Sequence, residues 1–240
     1  MNQPALTPKV VLGIAAHPDD MDFYAGGTMA AFAKQGADVY YLILTDGGKG
    51  TEDRTMISGA LRDTRQEEQR TAGKLLGLKD VFFFDYPDGT LENTHTVKRD
   101  IVKVIRQVKP DVVVTLDPSV LYSAEQHLIN HPDHRAAGQA ALDAVYPLAR
   151  DHMSFPELLA DGYEPHKTKT VLLIRLTPED TAFAIDITST LEVKLQAIAA
   201  HASQFDDLED TKSLLRAYAA EAGKPHDLAL AEPFVRIDIA

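Results

Sequence analysis

The 240-residue chain contains no cysteine. That excludes a disulfide scaffold and a thiolate metal site, so any metal must be held by histidine and carboxylate ligands. The absence fits a reducing, cytoplasmic setting. Long apolar runs are lacking too. Val10–Ala16 and Val171–Ile174 fall far short of the roughly 20 residues that a membrane-spanning helix needs. Residues 1–9 show no basic stretch leading into an apolar one, so no signal peptide is expected. Basic side chains are the minority: 24 Lys and Arg against 36 Asp and Glu give a formal net charge of −12. Such a surface repels phosphate backbones and anionic bilayers, so no nucleic-acid or membrane partner is expected. Its plainest consequence is solubility. Two nucleotide signatures are also missing. No G-x-G-x-x-G follows the first apolar run, and Gly47-Gly48-Lys49-Gly50 lacks the spacing of a phosphate-binding loop.

What is present is an ordinary globular composition, 45% hydrophobic and 25% charged. The length suits one α/β domain over residues 1–240, long enough to bury a core without staples. Strand-like and helix-like segments alternate. Strands are expected at Val10–Ala16, Val39–Thr45, Val81–Phe84 and Asp111–Leu116, and helices at Phe23–Gln35, Ser58–Leu76 and Thr94–Val108. Gly36 and Gly77 read as helix stops. Apolar strands separated by amphipathic helices predict βαβ units. The fold expected is a Rossmann-like three-layer α/β sandwich with a mostly parallel sheet and a site at the C-terminal edge of the strands. A long polar loop, Asp117–Asn130, precedes a helix over Pro132–Val145. After an irregular stretch, Pro147–Lys169, two strands at Thr170–Leu176 and Ala182–Ile187 read as an antiparallel pair joined by Thr177–Thr181. Helices over Leu191–His201 and Lys212–Ala222 and a strand over Phe234–Ile239 finish the chain.

Two short clusters carry chemistry. His17-Pro18-Asp19-Asp20 follows the first strand, and His131-Pro132-Asp133-His134 follows the fourth strand and its loop. Both fall at the carboxyl edge of the sheet, where open α/β sheets bind ligands. Either alone reads equally well as a turn with an acid near a helix N-terminus. Together they offer two histidines and a carboxylate with a position left open, the pattern of a catalytic rather than a structural zinc site.

Beyond these clusters, AAHPDD (Ala15–Asp20), Gly26-Gly27, TDG (Thr45–Gly47), NHPDHR (Asn130–Arg135), Arg65-Gln66-Glu67-Glu68 with LLGL (Leu75–Leu78), Pro87-Asp88-Gly89 with Leu91, and Lys194…His201-x-Ser203-Gln204 are present. In these the chain resembles the LmbE/PIG-L family of zinc-dependent N-acetylglucosaminyl deacetylases. The resemblance implies His17, Asp20 and His134 as metal ligands, with zinc or another divalent first-row ion bound. It implies Asp19 as general base, His131 as the histidine that stabilises the oxyanion, and Asp133 as the carboxylate that orients it. Substrate contacts are expected from Arg65, Tyr122 and His201. The implied partner is a small N-acylated substrate, an amino sugar or sugar conjugate, cleaved to amine and acetate; a homo-oligomer is left open. The chain departs from many members in carrying Met21 and then Asp22 where they have Glu. Its loop before His131, with Tyr122, Glu125 and His127, also looks longer.

For its role His131 is expected to be protonated, with Asp133 favouring the imidazolium. Plainer readings stand beside these. Arg65 can pair with Glu68 on an exposed face, and Tyr122 and His127 can be packing or solvated residues. His201 can be half-buried structure, Asp88 a turn residue before Gly89, and His95, His152, His166 and His226 structural or surface groups. Alternative activities are an amidase on a thiol-sugar conjugate or a non-sugar amide; a non-catalytic metal-binding protein is a third reading.

Overall fold

A computed structural model describes residues 6–124, 127–175 and 183–239. In chain order the elements are β1 (Val10–Ala15), α1 (Asp20–Lys34), β2 (Asp38–Thr45), α2 (Ser58–Leu76), β3 (Asp80–Tyr86), α3 (His95–Val108) and β4 (Val112–Leu116). There follow the two-residue strands β5 (Tyr122–Ser123) and β6 (Leu128–Ile129), then α4 (Pro132–Asp143), α5 (Pro156–Ala160), β7 (Thr170–Ile174) and β8 (Phe183–Asp186). The last elements are α6 (Leu191–Ala199), α7 (Leu208–Gly223) and β9 (Ala231–Asp238).

The main sheet has the order β3-β2-β1-β4-β7-β9-β8. The first five strands are parallel, and β9 runs against its neighbours. α1, α2, α6 and α7 cover one face, and α3 and α4 the other. This is the expected three-layer α/β sandwich. β1, β4 and β7 are almost continuously buried, as strands covered on both faces must be. The Val- and Ile-rich runs that marked them in the sequence are the core itself. A smaller apolar cluster, built on Ile187, Leu191, Leu195, Ile198, Leu215 and Ala219, seats α7 on α6.

One expectation is corrected. Thr170–Leu176 and Ala182–Ile187 do not form a hairpin. β9 lies between β7 and β8, antiparallel to both, with Leu172 opposite Arg236 and Ile185 opposite Glu232. The physical reason is burial. Ala231, Glu232, Pro233 and Phe234 are all buried, as a strand flanked on both sides must be. Leu176, Ala182 and Thr177–Thr181 lie outside the described residues. The stretch expected to be irregular contains the short helix α5, and the long loop contains the β5–β6 hairpin.

β9 also carries a buried charge. The Glu232 carboxylate receives Lys194 Nζ at 2.6 Å and the backbone N–H groups of Gly27 and Thr28 at 3.0 and 2.7 Å. Thr190 Oγ1 donates to the Gly27 carbonyl at 2.8 Å. α1 must therefore lie close against this corner, and Gly27 permits it: a Cβ there would stand 2.9 Å from Ile187. A buried ion pair is held by geometry, and removing one partner strands the other. Glu232→Gln keeps an acceptor but leaves the Lys194 ammonium without its counter-charge. The variant should lose about 3 kcal/mol of stability, read from the urea midpoint at unchanged m-value. A loss under about 1 kcal/mol would show that the pair carries no such weight.

Candidate active site and metal centre

β1 and β4 are neighbours at the point where the strand order reverses. Such a switch point opens a crevice at the carboxyl ends of the strands. The His17–Asp20 segment leaves β1 there, and α1 starts at Asp20. Asp19 takes φ +93°, a left-handed value that non-glycine residues avoid. From β4 the chain passes through the β5–β6 hairpin, which Asn130 closes by bonding the carbonyls of Leu121 (from its N–H, 3.0 Å) and Val120 (from Nδ2, 2.8 Å). His131 then caps α4, with Pro132 as its first residue. α4 approaches the end of β4 so closely that a Cβ on Gly138 would lie 2.1 Å from the Leu116 carbonyl oxygen. That approach carries His131 and His134 to the crevice.

Three imidazoles and several carboxylates meet here. Asp20 bridges two rings, with Oδ1 3.0 Å from His134 Nε2 and Oδ2 3.4 Å from His17 Nδ1. The other nitrogen of His17, Nε2, faces Asp88 Oδ1 at 3.1 Å and Asp133 Oδ2 at 3.2 Å. The ring of His131 stands 4.8 Å from that of His17 and 5.3 Å from that of His134. His17, Asp88, His131 and His134, with Asp19, Lys49, Gly50, Arg65 and Gly89, line a cavity of about 330 Å³.

The electrostatics call for a cation. Burial alone would lower the pKa of His17; the carboxylates of Asp20, Asp133 and Asp88 override it and push it up to about 12. Burial would raise Asp20, but His134 and His17 hold it well below the usual carboxylate range. Asp88 is likewise held down to about 2, against burial, by His17 and the Lys49 N–H. Asp19 differs: burial raises it to about 6, only partly opposed by Arg65.

Among the described residues, two triplets bring ligand atoms within 4.8 Å of one another: His17, His131 and His134, and His17, Asp88 and Asp133. Neither triplet includes Asp20, but the contacts of His17 point to its Nδ1 side. Two carboxylates on Nε2 fix a proton there and leave Nδ1 as the donor, on the side of Asp20 and His134. A histidine that ligates a metal ordinarily gives its other N–H to a carboxylate in this way. Nitrogen and oxygen donors with no thiolate suit zinc and other first-row divalent ions. The residues thus fit a metal ion.

Asp133 does not meet His131 as expected. Its carboxylate is buried, accepts from the N–H groups of Gly89 (2.7 Å) and Leu91 (3.1 Å), and faces His17. His131 Nδ1 instead accepts from the backbone N–H of Asp133 at 3.2 Å. That bond leaves Nε2 to carry the ring proton. Burial and the positive charges of His17 and His134 lower the pKa of His131, outweighing Asp133. The expected imidazolium is replaced by a neutral ring that still donates from Nε2.

Arg65 is buried, so pairing with Glu68 on an exposed face does not apply. It donates to the carbonyls of Gly47 and Pro18, both at 2.8 Å, and reaches Asp19 Oδ2 at 3.3 Å. Glu68 instead accepts from Ser203. His201 is fully buried and bonds Asp22 Oδ2 at 2.7 Å, so it cannot touch a substrate. Tyr122 is 65% exposed on the hairpin and is not among the residues lining the cavity. Glu125 lies outside the described residues. Sequence reasoning passed over Asp88 as a turn residue. The signal was its place directly after β3, on the same edge as the two histidine clusters. Gln69, one turn after Arg65, and Lys49 were also missed as site residues.

The profile of the family described as PIG-L, GlcNAc-PI de-N-acetylase, matches residues 12–145. The chain belongs to this family. PIG-L proteins are metal-dependent, in keeping with the donors found here. Diacetylchitobiose deacetylase of Thermococcus kodakarensis is 36% identical over 93% of the chain and 81% of its own length. A 1D-myo-inositol 2-acetamido-2-deoxy-alpha-D-glucopyranoside deacetylase of Rhodococcus erythropolis is 29% identical over 82% of the chain and 81% of its length. Among solved structures, N,N'-diacetylchitobiose deacetylase of Pyrococcus horikoshii superposes with a TM-score of 0.87 at 32% identity, covering 96% of the chain and 84% of that protein. These PIG-L relatives are hydrolases of amide bonds, and this member shares their fold. Among the described residues no helix is long and apolar enough to cross a membrane.

The contacts of His17 make a prediction. Asp88→Asn should weaken metal binding about 10-fold or more, measured by competition with a chromogenic chelator. Unchanged affinity would mean that His17 needs no such partner.

Proposed function

We propose that this protein is a zinc-dependent N-deacetylase. Its substrate would be a small N-acetylated amino sugar or amino-sugar conjugate, cleaved to the free amine and acetate. One observation carries the reading. A carboxylate, Asp19, lines the same cavity as His17 and His134, the two rings that Asp20 bridges, and bonds Arg65 rather than those donors. A protein that only binds metal has no use for such a group.

His17 Nδ1, Asp20 and His134 Nε2 would hold the ion. When bound, zinc supplies a Lewis acid and lowers the pKa of water from 15.7 to roughly 7. The chain's own residues do the rest. Asp19 accepts the proton of the attacking water. As the amide carbonyl oxygen gains charge, His131 meets it with its Nε2–H, a donor fixed by the Nδ1 bond to the Asp133 N–H. When the C–N bond breaks, the proton on Asp19 passes to the departing nitrogen, which leaves as a neutral amine. Asp88 and Asp133 keep His17 in its tautomer throughout. The cavity of about 330 Å³ is at the small end of ligand pockets, which favours one sugar ring over a polymer. The relatives named above act on N-acetylated amino sugars, which supports the substrate class.

The test is amine and acetate release by zinc-loaded protein from N-acetylglucosamine, diacetylchitobiose and N-acetylglucosaminyl conjugates. Release should stop with a chelator and return with zinc. Asp19→Asn should keep its metal and lose about 10²–10⁴-fold in kcat. Full turnover by that variant would remove Asp19 as base. No release by metal-loaded wild type from any amino sugar would overturn the substrate class.

A further inference from the structure

We infer that Gln69 is a positioning residue for the base. Through the buried relay His201–Asp22–Gln69 it holds the backbone of Asp19 in the left-handed turn from which the carboxylate enters the cavity. The inference rests on the reading of Asp19 as general base.

Asp19 sits where the backbone resists sitting. Its φ of +93° is a conformation that side chains other than glycine adopt only when their surroundings impose it. What imposes it is on α2. Gln69 Oε1 accepts the Asp19 N–H at 3.0 Å. One helical turn earlier, Arg65 reaches the Asp19 carboxylate at 3.3 Å and the Pro18 carbonyl at 2.8 Å. Positions i and i+4 of one helix thus grip the same residue, one by its side chain and one by its backbone.

The orientation of the Gln69 amide is forced. Asp19 N–H can only donate, so the oxygen faces it. The amide nitrogen then donates to Asp22 Oδ2 at 2.7 Å, and the same oxygen accepts from His201 Nε2 at 2.7 Å. Gln69, Asp22 and His201 are each 0% exposed. An amide, a carboxylate and an imidazole together in a core are costly unless each is bonded, and an apolar trio would pack there at lower cost. The relay starts at His201, after α6, crosses α1 at Asp22, and ends on the backbone of Asp19. Among its members, Asp19 is the one that lines the cavity. The relay also gives Asp22 a use: it anchors α2 to α1 directly behind the base.

Three variants test this. Gln69→Met keeps the volume and removes both bonds. Gln69→Glu keeps the acceptor for Asp19 but loses the donor to Asp22; adding Asp22→Asn restores that bond with donor and acceptor reversed, the second amide hydrogen going to His201 Nε2 in its other tautomer. For Gln69→Met we expect kcat to fall about 10–100-fold, while KM and the zinc dissociation constant stay within about 3-fold of wild type. Gln69→Glu should fall as well, and Gln69→Glu/Asp22→Asn should recover most of that loss. An unchanged kcat overturns the inference. So does zinc affinity falling in step with kcat, because the side chain would then be supporting the whole site. Should Gln69→Met not fold, the Glu variant decides: kcat not restored by Asp22→Asn counts against the relay. A crystal structure of zinc-loaded Gln69→Met provides a readout free of substrate. Asp19 should leave its left-handed conformation while His17, Asp20 and His134 stay in place; an unmoved Asp19 overturns the inference. If wild type releases no amine, the substrate reading fails on its own and the position of Asp19 still decides this one.

Discussion

The pairing of β1 with β4 is the constraint on which the rest depends. Val11 lies opposite Val112 and Ile14 opposite Thr115, in parallel register. Two stretches far apart in the chain therefore end side by side; a His-Pro-Asp sequence follows β1 directly, and another follows β4 after the β5–β6 hairpin. The register is protected, because both strands are buried on both faces, and a slip of one residue would turn every side chain over. It also sets the height at which His17 and His134 meet Asp20. The meeting of donors that fit a metal ion is thus a consequence of sheet packing.

The same packing gathers charges that would otherwise repel one another. Asp19, Asp20, Asp88 and Asp133 stand around three imidazoles in a partly dry space. The carboxylates around His17 raise its hold on the proton. A divalent ion at Nδ1 would relieve that excess of negative charge. Binding such an ion to the folded chain alone adds to stability by mass action. Much of the local cost is already met by backbone donors: Gly89 and Leu91 to Asp133, Lys49 to Asp88, and Gly48 and Asp88 to Asp46. The glycine-rich loop after β2 and the turn after β3 serve here as scaffolding for carboxylates, the milder fate of a segment that superficially suggested a phosphate loop.

What could be read from the sequence was what local pattern encodes. The strands β1, β2 and β4, the helix stops at Gly36 and Gly77, and the His131-Pro132 start of α4 all follow from periodicity and backbone chemistry. The two histidine clusters were legible because their place after strands has a meaning in a parallel sheet. What was not legible is non-local. Nothing in Ala231–Asp238 announces that it will part β7 from β8. The direction of the Asp133 carboxylate, toward His17 and away from its own neighbour His131, is decided by Gly89 and Leu91 on another turn. His201 was assigned to substrate and proves to be core, because the Asp22 that claims it lies on a different helix. Tyr122 was drawn in by its loop and points elsewhere.

The division of labour among the elements has a consequence for how such a site can change. The proposed metal donors come from the turn after β1 and from α4, which packs against the end of β4. The carboxylate of Asp19 is aimed from outside the sheet, by Arg65 and Gln69 on α2. On the proposed reading, disturbing α2 would move the base against the ion, whereas disturbing β4 or the Gly138 contact would move the ion's ligands. On that reading binding and turnover would be set by different parts of the chain and would be lost separately. A sequence that keeps His17, Asp20 and His134 but loses the α2 grip would still bind metal and would hydrolyse poorly. The residues most visible as a motif consequently report the metal, while the two that face them from α2 report the chemistry.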